Sequence, residues 1–165
     1  NRFSECEAYA LYLHANSPKF KVILRNNVFS DNGIALYLIH PGGPESVLSG
    51  NTFCRNRVGV YCYSKVTMEI TGDALFDNEF GMQLKDGVVR LDKCVFGMDA
   101  KRKAPNSGYD VQTSGAVTMT SCVLASPEPV LLGKNGYVVS EKHNGTNATR
   151  TWGQAPAPVP EKKAP

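Results

Sequence analysis

The chain is poor in the features that mark several large protein classes. No apolar run in its 165 residues approaches the roughly 18 that a membrane span needs. No secretory leader is visible at its start. Charge of neither sign dominates: 18 Lys and Arg against 15 Asp and Glu leave +3, too mild to demand nucleic acid. The one dense basic run, Lys101-Arg102-Lys103, reads as a solvated loop. The five cysteines show neither CxxC nor Cys/His spacing, so no zinc site or other metal centre is expected. The three histidines, His14, His40 and His143, have no acidic sequence neighbour and read as surface residues. Helical periodicity is absent throughout.

What the chain does have is a repeat. Asn-Val-Phe-Ser-Asp-Asn-Gly-Ile-Ala-Leu-Tyr-Leu at 27–38 returns 24 residues later as Asn-Thr-Phe-Cys-Arg-Asn-Arg-Val-Gly-Val-Tyr-Cys at 51–62. A further shift of 22 reaches Asp73, Leu75, Asn78 and Met82; one of 21 reaches Cys94 and Phe96; one of 28 reaches Cys122 and Leu124. A backward shift of 25 sets Tyr-Ala-Leu-Tyr-Leu at 9–13 under Ile-Ala-Leu-Tyr-Leu at 34–38. The long last interval has a visible cause in residues 98–108, which read as a loop pushed out of one coil.

Within each repeat the apolar residues alternate. Ile34, Leu36 and Leu38 point one way, Ala35 and Tyr37 the other. Period two means strand. Each repeat also carries a second short strand, such as Val22–Leu24 or Met68–Ile70, and has Asn or Gly at its corners. Several short strands in each such repeat describe a parallel β-solenoid. Asn suits a corner because it tolerates the left-handed conformation and can bond from coil to coil. Two polar columns are expected: Asn27, Asn51 and Asp73, and Asn32, Asn56, Asn78 and Asp99. An apolar column of Phe29, Phe53, Leu75, Phe96 and Leu124 lies between them. Asp31, Arg55 and Asp77 form an outer column of alternating sign.

This pattern resembles the right-handed parallel β-helix family, in which Asn-x-Phe/Ile-x-x-Asn-x-x-Gly-Ile repeats line pectate-lyase-like enzymes, phage tailspikes and F-box or adaptor β-helices. The resemblance covers about residues 1–140. It implies an all-β, single-stranded right-handed parallel β-helix of about five to six coils over 1–140. A polar, Pro-rich tail or linker follows over 141–165. Val130–Leu132 and Tyr137–Val139, joined through Asn135-Gly136, suit either a last coil or a closing hairpin. The chain opens mid-pattern, so a fragment of a longer protein, or an end capped by a partner, is expected.

The cysteines are expected to be reduced core thiols, with a Cys94–Cys122 bridge sterically allowed but not required. Their odd number favours an intracellular setting and leaves secretion open. The sequons at Asn144 and Asn147 fall in a polar stretch where such triplets arise by chance.

Outward positions line up as Tyr12, Tyr37, Tyr61, Gln83 and Gln112, flanked by Tyr63 and Lys85. Such a face suits a carbohydrate or a protein partner, while the same ladder also stabilises a sheet by itself. No cofactor is implied and no catalytic signature is found. Enzymes of this family need clustered carboxylates on an exposed face. Asp73, Asp77, Glu79 and Asp99 are the nearest thing, expected at one corner. The leading expectation is therefore a non-catalytic binding or scaffold module, with membrane and nucleic acid not among its partners. The alternative is a fragment of a polysaccharide lyase, hydrolase or epimerase.

Overall fold

The structure, a computed structural model, describes residues 1–14, 17, 19–39, 46–63, 67–99 and 102–154. The turns expected at 16–18 and 40–44, Lys101 of the basic run and the tail from 155 lie wholly or partly outside these residues.

The chain winds through six layers. The first comprises β1 (Arg2–Ser4), β2 (Tyr9–His14) and β3 (Ile23–Arg25), and the second β4 (Val28–Ser30), β5 (Ile34–Ile39) and β6 (Val47–Ser49). The third is β7 (Thr52–Cys54), β8 (Val58–Tyr63) and β9 (Thr67–Thr71), and the fourth β10 (Ala74–Phe76), β11 (Phe80–Leu84) and β12 (Val88–Asp92). The fifth begins with β13 (Val95–Phe96). It then leaves the coil as a hairpin of β14 (Met98–Asp99) and β15 (Arg102–Lys103), and returns as β16 (Tyr109–Thr113) and β17 (Ala116–Thr120). The sixth is β18 (Val123–Leu124), β19 (Val130–Leu132) and β20 (Tyr137–Glu141), after which β21 (Arg150–Trp152) folds back antiparallel on β20. Three parallel sheets result: β1-β4-β7-β10-β13-β18, β2-β5-β8-β11-β16-β19 and β3-β6-β9-β12-β17-β20. β19 and β20 pair in parallel with β16 and β17, so the segment around Asn135 closes a coil and not a hairpin.

Packing follows the columns read from the sequence. Phe3, Phe29 and Phe53 stack with ring centroids 4.7 and 5.0 Å apart, then Leu75, Phe96 and Leu124 continue the line. That spacing is the strand separation of a sheet, about 4.8 Å. Phe29, Phe53 and Phe96 are wholly buried, and burying each contributes roughly 1.5–3 kcal/mol.

The corners differ from expectation in two ways. The left-handed residue is not the column Asn but the residue before it. Asn26, Gly50, Gly72, Lys93 and Ser121 take φ of 53–66° ahead of one column; Glu5, Asp31, Arg55 and Asp77 take 55–62° ahead of the other. The Asn itself is then free to bond between coils. Asn56 shows the scheme: its Oδ1 accepts from the N–H of Asn32 at 3.0 Å, and its Nδ2 donates to the Phe29 carbonyl at 3.1 Å and to Asn78 Oδ1 at 3.0 Å. Second, Asp99 does not extend this column. Asn106 does, accepting from Asn78 N at 3.1 Å, because the β14–β15 hairpin removes Asp99 from the coil and inserts Asn106 in its place.

Period two also fails at one position. Ala35 is fully buried rather than facing out with Tyr37, and Gly59 and Gly81 are buried in the equivalent place. A Cβ on Gly59 would come within 2.6 Å of the Gly81 carbonyl oxygen, so a side chain is tightly confined at this bend; in the fifth layer the buried Asp110 takes the position.

Candidate functional site

The outward line expected from the sequence is present in strict register. Tyr12 on β2 pairs with Tyr37 on β5, Tyr37 with Tyr61 on β8, Tyr61 with Gln83 on β11, and Gln83 with Gln112 on β16. Leu131 on β19 ends the line. Tyr63 lies two residues along β8, and Lys85, exposed, is next to it, its N–H bonded to the Cys62 carbonyl at 3.0 Å. All seven candidate residues therefore share one face of the middle sheet.

The ring geometry decides what this face offers. Tyr37 and Tyr61 lie 4.5 Å apart with planes 10° from parallel, and Tyr12 and Tyr37 5.3 Å apart at 24°. The rings stack on one another along the solenoid axis, so the faces between them are occupied, and the Tyr37 and Tyr61 hydroxyls bond to each other at the partly exposed edge. Tyr9, which the repeat alignment sets in register with the buried Ile34, joins the group: it sits 5.1 Å from Tyr37, edge-on, and 5.8 Å from Tyr12. Burial, reinforced by Tyr37, raises the pKa of Tyr61 and keeps its phenol a proton donor. Beyond the rings the strip turns to amides, with Gln83 Nε2 donating to Gln112 Oε1 at 2.6 Å. Beside them Gln83, Lys85, Gln112 and Ser114 border a hollow of about 30 Å³, room for a water or one hydroxyl but not for a sugar ring.

The four carboxylates expected at one corner are dispersed. Asp73 and Asp77 flank β10 at opposite ends, about 13 Å apart at 3.3 Å per strand residue. Asp73 is buried and accepts from Asn51 N at 2.7 Å, while Asp77 and Glu79 are exposed. Asp99 is on the hairpin, 3.5 Å from Arg102. Among the described residues no cluster of His, Cys, Asp or Glu could hold a metal ion.

Desolvation pushes the Asp73 pKa up to about 7, against the bonds from Asn51. The column then passes from carboxyl to thiol: Cys94 and Cys122 each place Sγ 3.6 Å from a carbonyl of the preceding coil, Ile70 and Leu91. All five cysteines are free thiols, and burial lifts that of Cys62 to about 12. The outer ion pair is as expected, with Arg55 donating to Asp31 at 2.7 and 2.8 Å and lowering the aspartate's pKa.

One feature went unread in the sequence. The outer face of β9, β12 and β17 carries a groove of about 360 Å³ lined by Glu69, Thr71, Arg90, Asp92, Thr118 and Thr120. Alternation along these strands signals it, since the six residues occupy outward positions two apart. Arg90 and Glu69 face each other at 3.5 Å, so the groove presents hydroxyls and a compensated pair.

No curated protein and no solved structure matches the chain. The family described as "Right handed beta helix region" matches it over residues 1–149. With the parallel coils, polar corner columns and core stack all present, the chain belongs to the right-handed β-helix family.

Proposed function

We propose that the chain is a non-catalytic binding module, and that its ligand is an extended polyhydroxylated chain, a glycan, lying along the solenoid axis on the Tyr12–Gln112 strip. The observation that carries this is the unbroken line of phenol and amide groups over five coils. A strand-like peptide docks by pairing with a free sheet edge. The central strands of this face have neighbours on both sides, so only side chains are offered. Phenol hydroxyls and amides both donate and accept, which matches a run of sugar hydroxyls. Because the ring faces are stacked on each other, contact is through hydroxyls and ring edges rather than through sugar–ring stacking.

The test is Tyr37→Phe with Tyr61→Phe, which removes two hydroxyls and keeps the stack. Binding on a glycan array should fall about tenfold, the equivalent of one or two lost hydrogen bonds, with an unchanged melting temperature. Unaltered glycan binding, or binding only to a protein partner, overturns the assignment.

A further inference from the structure

The groove on β9, β12 and β17 lies on a different sheet from the tyrosine strip and in the third to fifth layers, where β6 pairs on one side of its strands and β20 on the other. Its volume of about 360 Å³ falls in the range of small-ligand sites, about 300–1,000 Å³. Strand register sorts its walls into two lines. Glu69, Arg90 and Thr118 are opposite one another, and so are Thr71, Asp92 and Thr120 two residues along. Ile70 and Leu91, between the lines, turn their side chains into the core, so the floor there is strand backbone. Val47 and Val139 continue the first line at either end and confine its charged and hydroxyl groups to three strands.

Charge and hydrogen bonding narrow what this groove can hold. Arg90 Nη1 lies 3.5 Å from Glu69 Oε1, and Lys93 Nζ lies 3.5 Å from Asp92 Oδ2. Each acid of the groove therefore has its own cation, and neither a phosphate nor a metal ion finds an unpaired counter-charge. What the groove offers is hydrogen bonding: threonine hydroxyls that donate and accept, carboxylates that accept and a guanidinium that donates. A peptide would need a free strand edge for main-chain pairing, and these three strands have none. The polar groups recur at the strand spacing, about 4.8 Å, over about 10 Å along the axis.

We propose that this groove binds a short neutral saccharide, lying along the solenoid axis between the two lines of side chains, as a site separate from the tyrosine strip. Neighbouring sugar hydroxyls donate to the Glu69 and Asp92 carboxylates, and the threonine hydroxyls and Arg90 supply the remaining contacts.

Methyl NMR of the intact chain reads this site by itself, because Thr71, Thr118 and Thr120 each carry a methyl in the groove. The probes are maltotetraose, cellotetraose, mannotetraose and xylotetraose, with tetragalacturonate as the acidic control. A neutral probe should shift the three methyls saturably, and equally so in the variant Tyr37→Phe with Tyr61→Phe. Thr118→Val with Thr120→Val removes two hydroxyls, keeps the β-branched shape and should weaken the response at Thr71 about tenfold, with an unchanged melting temperature. Silence at these methyls with all four neutral probes overturns the proposal, even where the tyrosine strip responds. So does an equal response to tetragalacturonate, a valine variant that binds as the wild type does, or a response lost with the two tyrosine hydroxyls.

Discussion

Asp73 carries the sharpest residue-scale consequence. In this column Asn51, Cys94 and Cys122 all reach a carbonyl of the preceding coil. Asp73 is buried in this column, and burial disfavours its ionised form. Its folded pKa of about 7 exceeds the ordinary 3.8, so the stability it lends is complete below about pH 4 and is lost as pH rises through 7. Asp110, buried with Asn106 and Ser126, has its pKa raised by the same cause and acts in the same direction. Asp73→Asn keeps the shape and removes the ionisable group. Urea unfolding should show it more stable than wild type at pH 8, by up to about 4 kcal/mol, with little difference at pH 4. An equal gap at both pH values would contradict the argument. The columns were legible because an Asn recurring two residues from a buried Phe leaves few other roles. The left-handed residues were not, because Asp31, Arg55, Lys93 and Ser121 share no chemistry; the bend is imposed by packing on both sides.

At the scale of the element, strand identity came through well and one strand position did not. Alternation placed Leu36, Leu38 and Tyr37 correctly, but it assigns Ala35 outward, and the chain bends there into the core. The signal was present as size rather than polarity: alanine or glycine holds the position in successive coils, at Ala10, Ala35, Gly59 and Gly81. Gly59→Ala should cost about 1–3 kcal/mol, because its methyl meets the Gly81 carbonyl, which is backbone, together with Leu75 and Phe53. A shift in the denaturation midpoint with an unchanged slope checks this, and a neutral result would mean the coils slide apart more easily than their packing implies. The misplacement of Asp99 has a different origin. A hairpin inserted in one coil resets the count, and a fixed shift cannot anticipate how many residues leave the stack.

For the whole molecule, stability is shared between neighbouring coils, so the ends weigh more than their size. The C-terminal closure was the least legible part of the fold, since η1 (His143–Gly145) and β21 obey no repeat. Trp152 packs on the core there, with the Arg150 guanidinium 4.7 Å over its ring and His143 5.6 Å away. Asn144→Ala removes both bonds to Leu124 and should cost about 1 kcal/mol by urea unfolding. It should also shift the size-exclusion profile toward larger species, as the bared edge of β18 finds partners.

The tyrosine stack has a consequence of another kind. Tyr9, Tyr12, Tyr37 and Tyr61 are held in mutual contact within the first three layers, and the sole tryptophan sits at the opposite end. Five of the seven tyrosines lie in those three layers, so near-ultraviolet dichroism of the phenols weights one end of the solenoid, and indole emission watches the other. Heated once and followed at both wavelengths, the molecule reports whether its six layers melt together or peel from one side.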